Sequence, residues 1–470
     1  MPLRTIRLAT CAAVLALGVC TPTLAQQAPV EAGDAAAPRA KNVILFIGDG
    51  MGVSTVTAAR IYAGQKLGQT GEEYVLPFET FEHLALIKTY NTNAQVPDSA
   101  GTASAMHTGR KTKIGMLGYG PETHNGDCRS GAGHELPLLG EEVKQRGLAL
   151  GIVSTARITH ATPASVYSRS VDRDWEADSA VPEAQRGLGC ADIAAQLVSK
   201  PFDVALGGGR AAFFGAAGKG QRLDASADLP GSWSAATGGT YVESAAALND
   251  APMDKPVLGL FSPSHMTYMV DRKPDSSEPT LTDMTAAAIS RLRQDPDGFY
   301  LMVEGGKIDH GHHAGQAGYA LEEAVEFARA VQYAIDHTDP AETLIMVTAD
   351  HSHVFTIAGY PQRGNPILGL VVSPREDGEP GTEPVLAADG KPYTTLGYAN
   401  GPGAVQGERP IPETGIAAHQ QSLLPMGSET HGGEDVPLYA SGPGAERVRG
   451  VMEQNLIYTV IRKALGWSDE

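Results

Sequence analysis

The sequence has few positive charges for its length. It contains 36 Lys and Arg residues against 54 Asp and Glu residues, which gives a formal net charge of −18. Nucleic-acid partners need a basic surface, so this balance predicts no nucleic-acid footprint. With 42% hydrophobic and 19% charged residues, the composition is otherwise that of an ordinary globular protein.

Long apolar runs are missing beyond the first 25 residues. No later stretch reaches about 18 uninterrupted apolar residues, so we predict no membrane span. The beginning combines Arg4 and Arg7 with an apolar run over residues 8–19 and a small-x-small pattern at residues 23–25. This combination is typical of a secretory signal peptide. We therefore predict a signal peptide over residues 1–25 and a secreted or periplasmic protein.

Cysteine is scarce, with 4 in 470 residues. Cys11 and Cys20 fall within the predicted signal peptide, and Val19 stands where a lipid-modified Cys20 would need a small residue. Cys128 and Cys190 remain as an even pair in a protein predicted to be exported, so a disulfide between them is expected. Two separate buried thiols are the alternative.

Apolar runs alternate with helical patterns along the chain, and no internal repeat is evident. Continuous apolar runs are typical of strands buried on both faces. Their alternation with helices predicts an α/β fold, with a large, mostly parallel sheet sandwiched by helices. The predicted strands cover residues 42–47, 148–154, 202–206, 299–303, 343–348 and 368–372, and the predicted helices cover residues 135–146, 182–199, 280–294, 317–336 and 447–464.

Two segments lack this pattern. Residues 26–40 are small and polar and predict a flexible lead-in. Residues 374–428 are rich in Gly and Pro and show no periodicity, which indicates an insertion. We predict that residues 41–373 and 429–470 form the α/β core around it.

The ten residues that follow the strand at 299–303 carry the strongest chemical signal. They hold two carboxylates and three histidines, a combination of oxygen and nitrogen ligands that suits zinc. A solvated polar loop is the alternative, but the apolar strand before the segment and the helical pattern after it argue against one. The five side chains belong to Glu304, Asp309, His310, His312 and His313.

Similar residues follow other predicted strands. Ligands bind beyond the carboxyl ends of parallel strands, so these side chains are expected at one edge of the sheet. They suffice for more than one metal: oxygen groups suit magnesium, and mixed imidazole and carboxylate groups suit zinc. The residues are Asp49 after the first strand, His160 and Thr162 after the second, Asp350 and His351 after the fifth, and His431 near the end of the chain.

Ser99 and Arg173 add groups that could bind an anion. Ser99 lies at a predicted helix start, where the helix dipole favours an oxyanion, although an N-cap serine would sit there too. Arg173 could hold a phosphate through two hydrogen bonds, although a lone arginine is more often a solvated surface group. The negative net charge means that phosphate chemistry here needs local positive charge from metals or a buried arginine.

Taken in order, these segments resemble the alkaline phosphatase family. The resemblance runs from about Asn42 to the last predicted helix. The motifs that carry it are Ile47-Gly-Asp-Gly-Met-Gly52, Pro97-Asp-Ser-Ala100, Thr159-His-Ala-Thr-Pro163, Val303-Glu-Gly-Gly306, Ile308-Asp-His-Gly-His-His313, Thr348-Ala-Asp-His-Ser-His353 and Glu429-Thr-His431.

The resemblance implies a role for each of these residues. Ser99 matches the nucleophile that becomes phosphorylated, and Arg173 matches the group that binds the phosphate. The implied cofactors are two Zn²⁺ ions and one Mg²⁺ ion. The implied ligands are Asp309, His313 and His431 for the first zinc, Asp49, Asp350 and His351 for the second zinc, and Asp49, Thr162 and Glu304 for magnesium. Ser99 is also implied at the metals, because the second zinc is expected to lower the pKa of its hydroxyl.

Other features are implied in the same way. His160 and His310 stand where the best-known bacterial form has Asp and Lys, which is the animal-type pattern, and both are expected beside the metals without binding them. Cys128 and Cys190 match a pair of bonded cysteines in animal-type members. Ser262 stands where the animal-type calcium site would have a carboxylate, so calcium is not predicted. A homodimer is expected, with residues 374–428 as a crown-like insertion near its interface.

The expected activity is the hydrolysis of phosphate monoesters. Related nucleotide diesterases usually carry Thr at the nucleophile position, and a diesterase side activity remains open. Sulfatases need Pro two residues after the nucleophile, where this chain has Gly101. A phosphate- or metal-binding protein without catalysis is the alternative of another class.

Overall fold

The computed structural model describes residues 39–468. The predicted signal peptide lies outside these residues, as does the lead-in except for its last two positions. The strands are β1 Asn42–Gly48, β2 His83–Lys88, β3 Ala149–Arg157, β4 Val204–Gly208, β5 Thr240–Val242, β6 Val257–Leu260, β7 Phe299–Gly305, β8 Thr343–Ala349, β9 Ser352–His353, β10 Phe355–Ile357, β11 Leu396–Gly401, β12 Ser422–Pro425, β13 His431–Gly432, β14 Val436–Ser441 and β15 Gly450–Glu453.

The α-helices lie between these strands. They are α1 Val53–Lys66, α2 Ser99–Thr108, α3 Cys128–Gly131, α4 Leu139–Gln145, α5 Ala161–Ala164, α6 Ile193–Ser199, α7 Leu229–Thr237, α8 Ala245–Asp250, α9 Leu281–Leu292, α10 Lys307–His313, α11 Ala317–His337 and α12 Leu456–Ala464.

The main sheet has the order β15-β2-β14-β8-β1-β7-β3-β4-β6-β5. Its neighbouring strands are parallel except at β14, which runs antiparallel to both β2 and β8. In β1 every residue after Asn42 is buried, as expected of a strand covered on both faces. Helices flank the sheet, and Phe327 of α11 packs edge-to-face on Phe46 with ring centroids 5.8 Å apart. The predicted α/β architecture is therefore confirmed.

Several predicted elements differ from the observed ones. The run at 368–372 is not a strand: only Leu370 pairs, in an isolated bridge to Thr394, and Pro366 and Pro374 flank the run. The helix predicted over 182–199 begins only at Ile193, because Gly187 and Gly189 adopt left-handed backbone with φ of 75° and 102°. The last helix begins at Leu456, not at 447, because strand β15 precedes it.

A smaller sheet joins β10, β11 and β12, in that order. It includes part of the segment over 374–428, but it begins at Phe355, ahead of that segment. The domain boundaries drawn from the sequence remain predictions. The structure joins Cys128 and Cys190 in a disulfide, with Cα atoms 5.6 Å apart. Within residues 39–468, no helix is long and apolar enough to cross a membrane.

Candidate active site

The carboxyl ends of four adjacent strands bring the predicted ligands together. The strands β8, β1, β7 and β3 are neighbours in the sheet. Asp350 follows β8, Asp49 follows β1, Asp309 follows β7 in helix α10, and Thr162 follows β3 in α5. His431 arrives from outside this sheet, on β13, which pairs antiparallel with β9 and sets His431 opposite His353. The expected common edge is thus observed.

Asp309, His313 and His431 form the first group of ligand atoms. The Nε2 atoms of His313 and His431 lie 3.1 Å apart, and Asp309 Oδ1 lies 3.2 Å from the first and 3.5 Å from the second. A tetrahedral zinc ion with bonds of about 2.0–2.1 Å has ligand atoms about 3.3 Å apart. The three atoms therefore form a triangle of the size that one face of a zinc tetrahedron requires.

The hydrogen bonds of the histidines determine which nitrogen carries the lone pair. His313 Nδ1 lies 2.6 Å from the Glu429 carbonyl oxygen, and His431 Nδ1 lies 2.8 Å from the Pro97 carbonyl oxygen. Because a carbonyl only accepts, both rings must donate from Nδ1, which leaves Nε2 as the free lone pair of the neutral imidazole. Burial opposes protonation of His313, but Asp309 raises its pKa. When both rings are neutral, as metal binding requires, the two lone pairs face each other and cannot hydrogen-bond, so a cation between them would satisfy both.

Asp49, Asp350 and His351 form the second group. His351 Nε2 lies 3.5 Å from Asp49 Oδ1 and 3.2 Å from Asp350 Oδ2. The Ser99 hydroxyl lies 3.2 Å from the same nitrogen. The His351 ring stacks on His431 with centroids 3.6 Å apart, so the two groups are immediate neighbours. Burial lowers the pKa of both His351 and His431 to about 3, so both rings are neutral at ordinary pH.

Thr162 and Glu304 extend this second group on the side of Asp49. The Thr162 hydroxyl, Glu304 Oε1 and both carboxylate oxygens of Asp49 are buried without a hydrogen-bond partner. Burial raises the pKa of Glu304 to about 7 and also raises that of Asp49, which the neighbouring carboxylates of Asp350 and Asp309 raise further. Buried carboxylates this close together need a counter-charge, and an all-oxygen set suits magnesium.

Arg173 reaches the same region from the segment after Ser170. Its guanidinium donates to Asp98 Oδ2 at 3.0 Å and to His160 Nε2 at 3.0 Å. Asp98 is the N-cap of α2 and also accepts from the backbone N–H of Gly101 at 3.0 Å. Burial opposes ionisation of Asp98, but the Arg173 charge and the backbone N–H groups of Gly101 and Gly115 hold its pKa below the usual value. Asp98, which directly precedes Ser99, thereby connects the arginine to the start of α2.

His160 and His310 lie beside these groups, and the structure adds His265, which the sequence pattern did not single out. The three rings form a triangle: the His265 centroid lies 4.1 Å from that of His310 and 5.4 Å from that of His160, and the latter two are 5.9 Å apart. Burial lowers the pKa of His310 to about 4. No sequence signal marks His265, because it lies in a loop and comes close only through the fold.

His353 and Glu429 are two further functional candidates; both stand in the quoted motifs, but the sequence analysis gave neither of them a role. His353 Nε2 lies 2.8 Å from Asp309 Oδ1, and its Nδ1 faces the Glu429 carboxylate. Burial opposes protonation of His353, but the two carboxylates raise its pKa to about 9. His353 thus lies between two carboxylates and is placed to orient Asp309. Its spacing of two from His351 could have suggested a shared strand face.

The comparisons with known proteins identify the family of this chain. The family model described as alkaline phosphatase matches residues 40–467. The tissue-nonspecific alkaline phosphatase of Gallus gallus is 46% identical over 444 residues, which cover 89% of this chain and 83% of that protein. Its Homo sapiens counterpart is 43% identical over 452 residues, which cover 90% and 83%.

Solved structures of alkaline phosphatases share the fold. The Thermus thermophilus enzyme aligns with a TM-score of 0.67 at 22% identity, covering 92% of this chain and 93% of that one. The enzyme of the Antarctic bacterium TAB5 aligns with a TM-score of 0.64 at 22% identity, covering 92% and 100%. Because the family model and the close relatives span nearly all of the described chain, including every strand end that carries these ligands, the protein belongs to the alkaline phosphatase family and is a phosphoric monoester hydrolase.

Proposed function

We propose that this chain hydrolyses phosphate monoesters in two displacements through a phosphoserine at Ser99, with two Zn²⁺ ions and one Mg²⁺ ion as cofactors. The observation that carries the proposal is the convergence of the Nε2 lone pairs of His313 and His431 on Asp309 at distances that suit tetrahedral zinc. Ser99 lies next to the neighbouring group of ligands.

The donor atoms support a division of the three cations. Asp309, His313 and His431 would hold the first zinc, and Asp49, Asp350 and His351 would hold the second zinc. Thr162, Glu304 and Asp49 offer only oxygen and would hold magnesium. His160 accepts a hydrogen bond from Arg173 at Nε2, so its neutral ring carries the proton on Nδ1. That proton supports its predicted place beside the magnesium group and not among the ligands.

When bound, the zinc ions would supply Lewis acidity to the attacking and leaving oxygens. The chain supplies the rest. Ser99 is 2% exposed and begins α2, a ten-residue helix whose N-terminal partial charge favours a phosphate on its hydroxyl. Ser99 attacks phosphorus and displaces the alcohol, and water then hydrolyses the phosphoserine. Arg173, held by Asp98, would bind two phosphate oxygens as charge builds on them.

The test is the hydrolysis of a chromogenic phosphate monoester by the wild type and by Ser99→Ala. We expect turnover to rise towards alkaline pH, to vanish on chelation and to return when both zinc and magnesium are added. The Ser99→Ala protein should bind the same metals and lose nearly all turnover. Turnover near the wild-type level in this variant would refute the nucleophile. A faster reaction with matched diesters would favour the diesterase alternative.

We also propose that the protein is exported and forms a homodimer. The Cys128–Cys190 disulfide supports an oxidising compartment, and the predicted signal peptide supports export.

For the dimer, the support is apolar exposure on β2 and β15, where Leu84, Leu86 and Val451 are 52%, 40% and 47% exposed. Light scattering coupled to size exclusion tests the dimer, and N-terminal sequencing of the secreted or periplasmic fraction tests the export.

A further inference from the structure

The segment that carries Arg173 is attached to a second, small hydrophobic core. Four buried side chains form it, and it is separate from the main core around the sheet. Tyr119, Leu188 and Cys190 pack on it from the outside, and the disulfide joins one of its members to Cys190. The four buried residues are Cys128, Val171, Trp175 and Val181.

Arg173 lies midway between two residues of this small core. Val171 is 0% exposed and Trp175 is 3% exposed, so the backbone on both sides of the arginine is held by their burial. Backbone hydrogen bonds add to this: Arg173 N–H donates to the Gly115 carbonyl at 2.9 Å, and Ile193 N–H donates to the Trp175 carbonyl at 3.0 Å. The guanidinium, by contrast, lies against Asp98 and His160 in the active site.

The disulfide closes a long loop around this segment. Cys128 and Cys190 are 62 residues apart in sequence, and Arg173 lies between them. The first part of this span includes β3 and α5, which the main core holds, so the small core orders mainly the part that follows α5 and carries Arg173. Stability varies locally within a protein, and this part has the smaller core. Loss of a native disulfide typically shifts such an equilibrium by on the order of 100-fold, so its removal should raise the population of states with an opened small core by about that factor. The main core does not contain the disulfide and should stay folded.

We propose that the disulfide and Trp175 are positioning residues for Arg173: the bonded small core fixes the backbone from which the guanidinium reaches the phosphate. The proposal rests on the proposed role of Arg173 in phosphate binding. It predicts that loss of the disulfide impairs phosphate recognition while the metal ligands, none of which belongs to the small core, keep their places.

The experiment compares the full-length, metal-replete wild type with the disulfide-free variant Cys128→Ser/Cys190→Ser, each with Arg173 and with Arg173→Ala. The readouts are kcat, KM, the inhibition constant of inorganic phosphate, zinc content and the main thermal unfolding transition. We expect Arg173→Ala alone to lower kcat/KM by about 10- to 100-fold, as for a lost charged hydrogen-bond pair. The disulfide-free variant should have a kcat/KM about 5- to 30-fold lower than the wild type, with weaker phosphate inhibition and unchanged zinc content.

The decisive result is the combination. In the Arg173→Ala background, removal of the disulfide should change kcat/KM by less than twofold, because the effect of the disulfide passes through the arginine. An equal loss in both backgrounds, or a disulfide-free enzyme within twofold of the wild type, overturns the proposal. If Arg173→Ala itself has no effect, the proposed role of Arg173 fails, and this inference fails with it.

Trp175→Leu provides a second variant in case the disulfide-free protein does not fold. It keeps the disulfide, and it should weaken phosphate inhibition in the same direction. Trp233→Leu is the matched control: Trp233 is 4% exposed and stacks on Phe202 in the main core, away from the small one. Trp233→Leu should lower the unfolding temperature without changing the phosphate inhibition constant, and equal changes in both variants would overturn the proposal.

Discussion

Glu304→Gln should change protein stability in opposite directions with and without metals. Glu304 is fully buried in β7, and one of its carboxylate oxygens has no hydrogen-bond partner. Without metals, the folded protein holds this carboxylate among other buried carboxylates. Glutamine keeps the size of the side chain and its contact with the Ser154 hydroxyl but removes the charge. The metal-free variant should therefore be more stable than the metal-free wild type.

The magnitude follows from the pKa of Glu304. Burial raises it from 4.5 to about 7 in the folded protein. Between these values the unfolded chain has released its proton while the folded metal-free protein still holds one, so stability falls as pH rises through this window. At about 1.36 kcal/mol per pH unit, the carboxylate costs the metal-free protein about 3 kcal/mol at pH 8 and less than about 1 kcal/mol at pH 5.

The assay is urea unfolding at pH 5 and pH 8, with chelator or with zinc and magnesium. In chelator, the free energy of unfolding of Glu304→Gln should exceed that of the wild type by about 2–3 kcal/mol at pH 8 and by little at pH 5. With metals it should be less stable than the wild type, because it lacks a magnesium ligand. Glu323→Gln is the control: Glu323 lies on α11 outside the site, and burial raises its pKa to about 7. The change in unfolding free energy caused by Glu323→Gln should be the same with and without metals. No gain for Glu304→Gln in chelator at pH 8 would refute the reasoning.

Two other predictions concern the first group of ligands. His431→Ala should lower the zinc content by about one ion per chain, measured by mass spectrometry, while unfolding of the chelated protein stays near that of the wild type; full zinc content would contradict the assignment. His353→Gln removes the imidazolium between Asp309 and Glu429 and should lower kcat/KM by about 10- to 100-fold, as for other residues that orient metal ligands. A His353→Gln enzyme with wild-type kinetics would show that Asp309 needs no such support.

The sequence motifs were sufficient to predict that three of the proposed ligands meet at one sheet edge, because these residues lie at the ends of buried strands. Asp49, Glu304 and Asp350 each stand within or next to an apolar run, and parallel strands end at one edge. The strand predicted over 368–372 was wrong because an apolar run alone does not say whether a neighbouring strand is available for pairing.

The sequence alone determined the α/β class and predicted the donor atoms of the proposed ligands, because burial patterns and residue types are properties of short segments. Tertiary structure alone decided which groups meet across long distances. His265 joins His160 and His310, and His353 lies between Asp309 and Glu429, only because separate loops fold over the sheet edge. Likewise, the link from the disulfide through Trp175 to Arg173 depends on packing. Such contacts depend on the path of the whole chain, which no local pattern encodes.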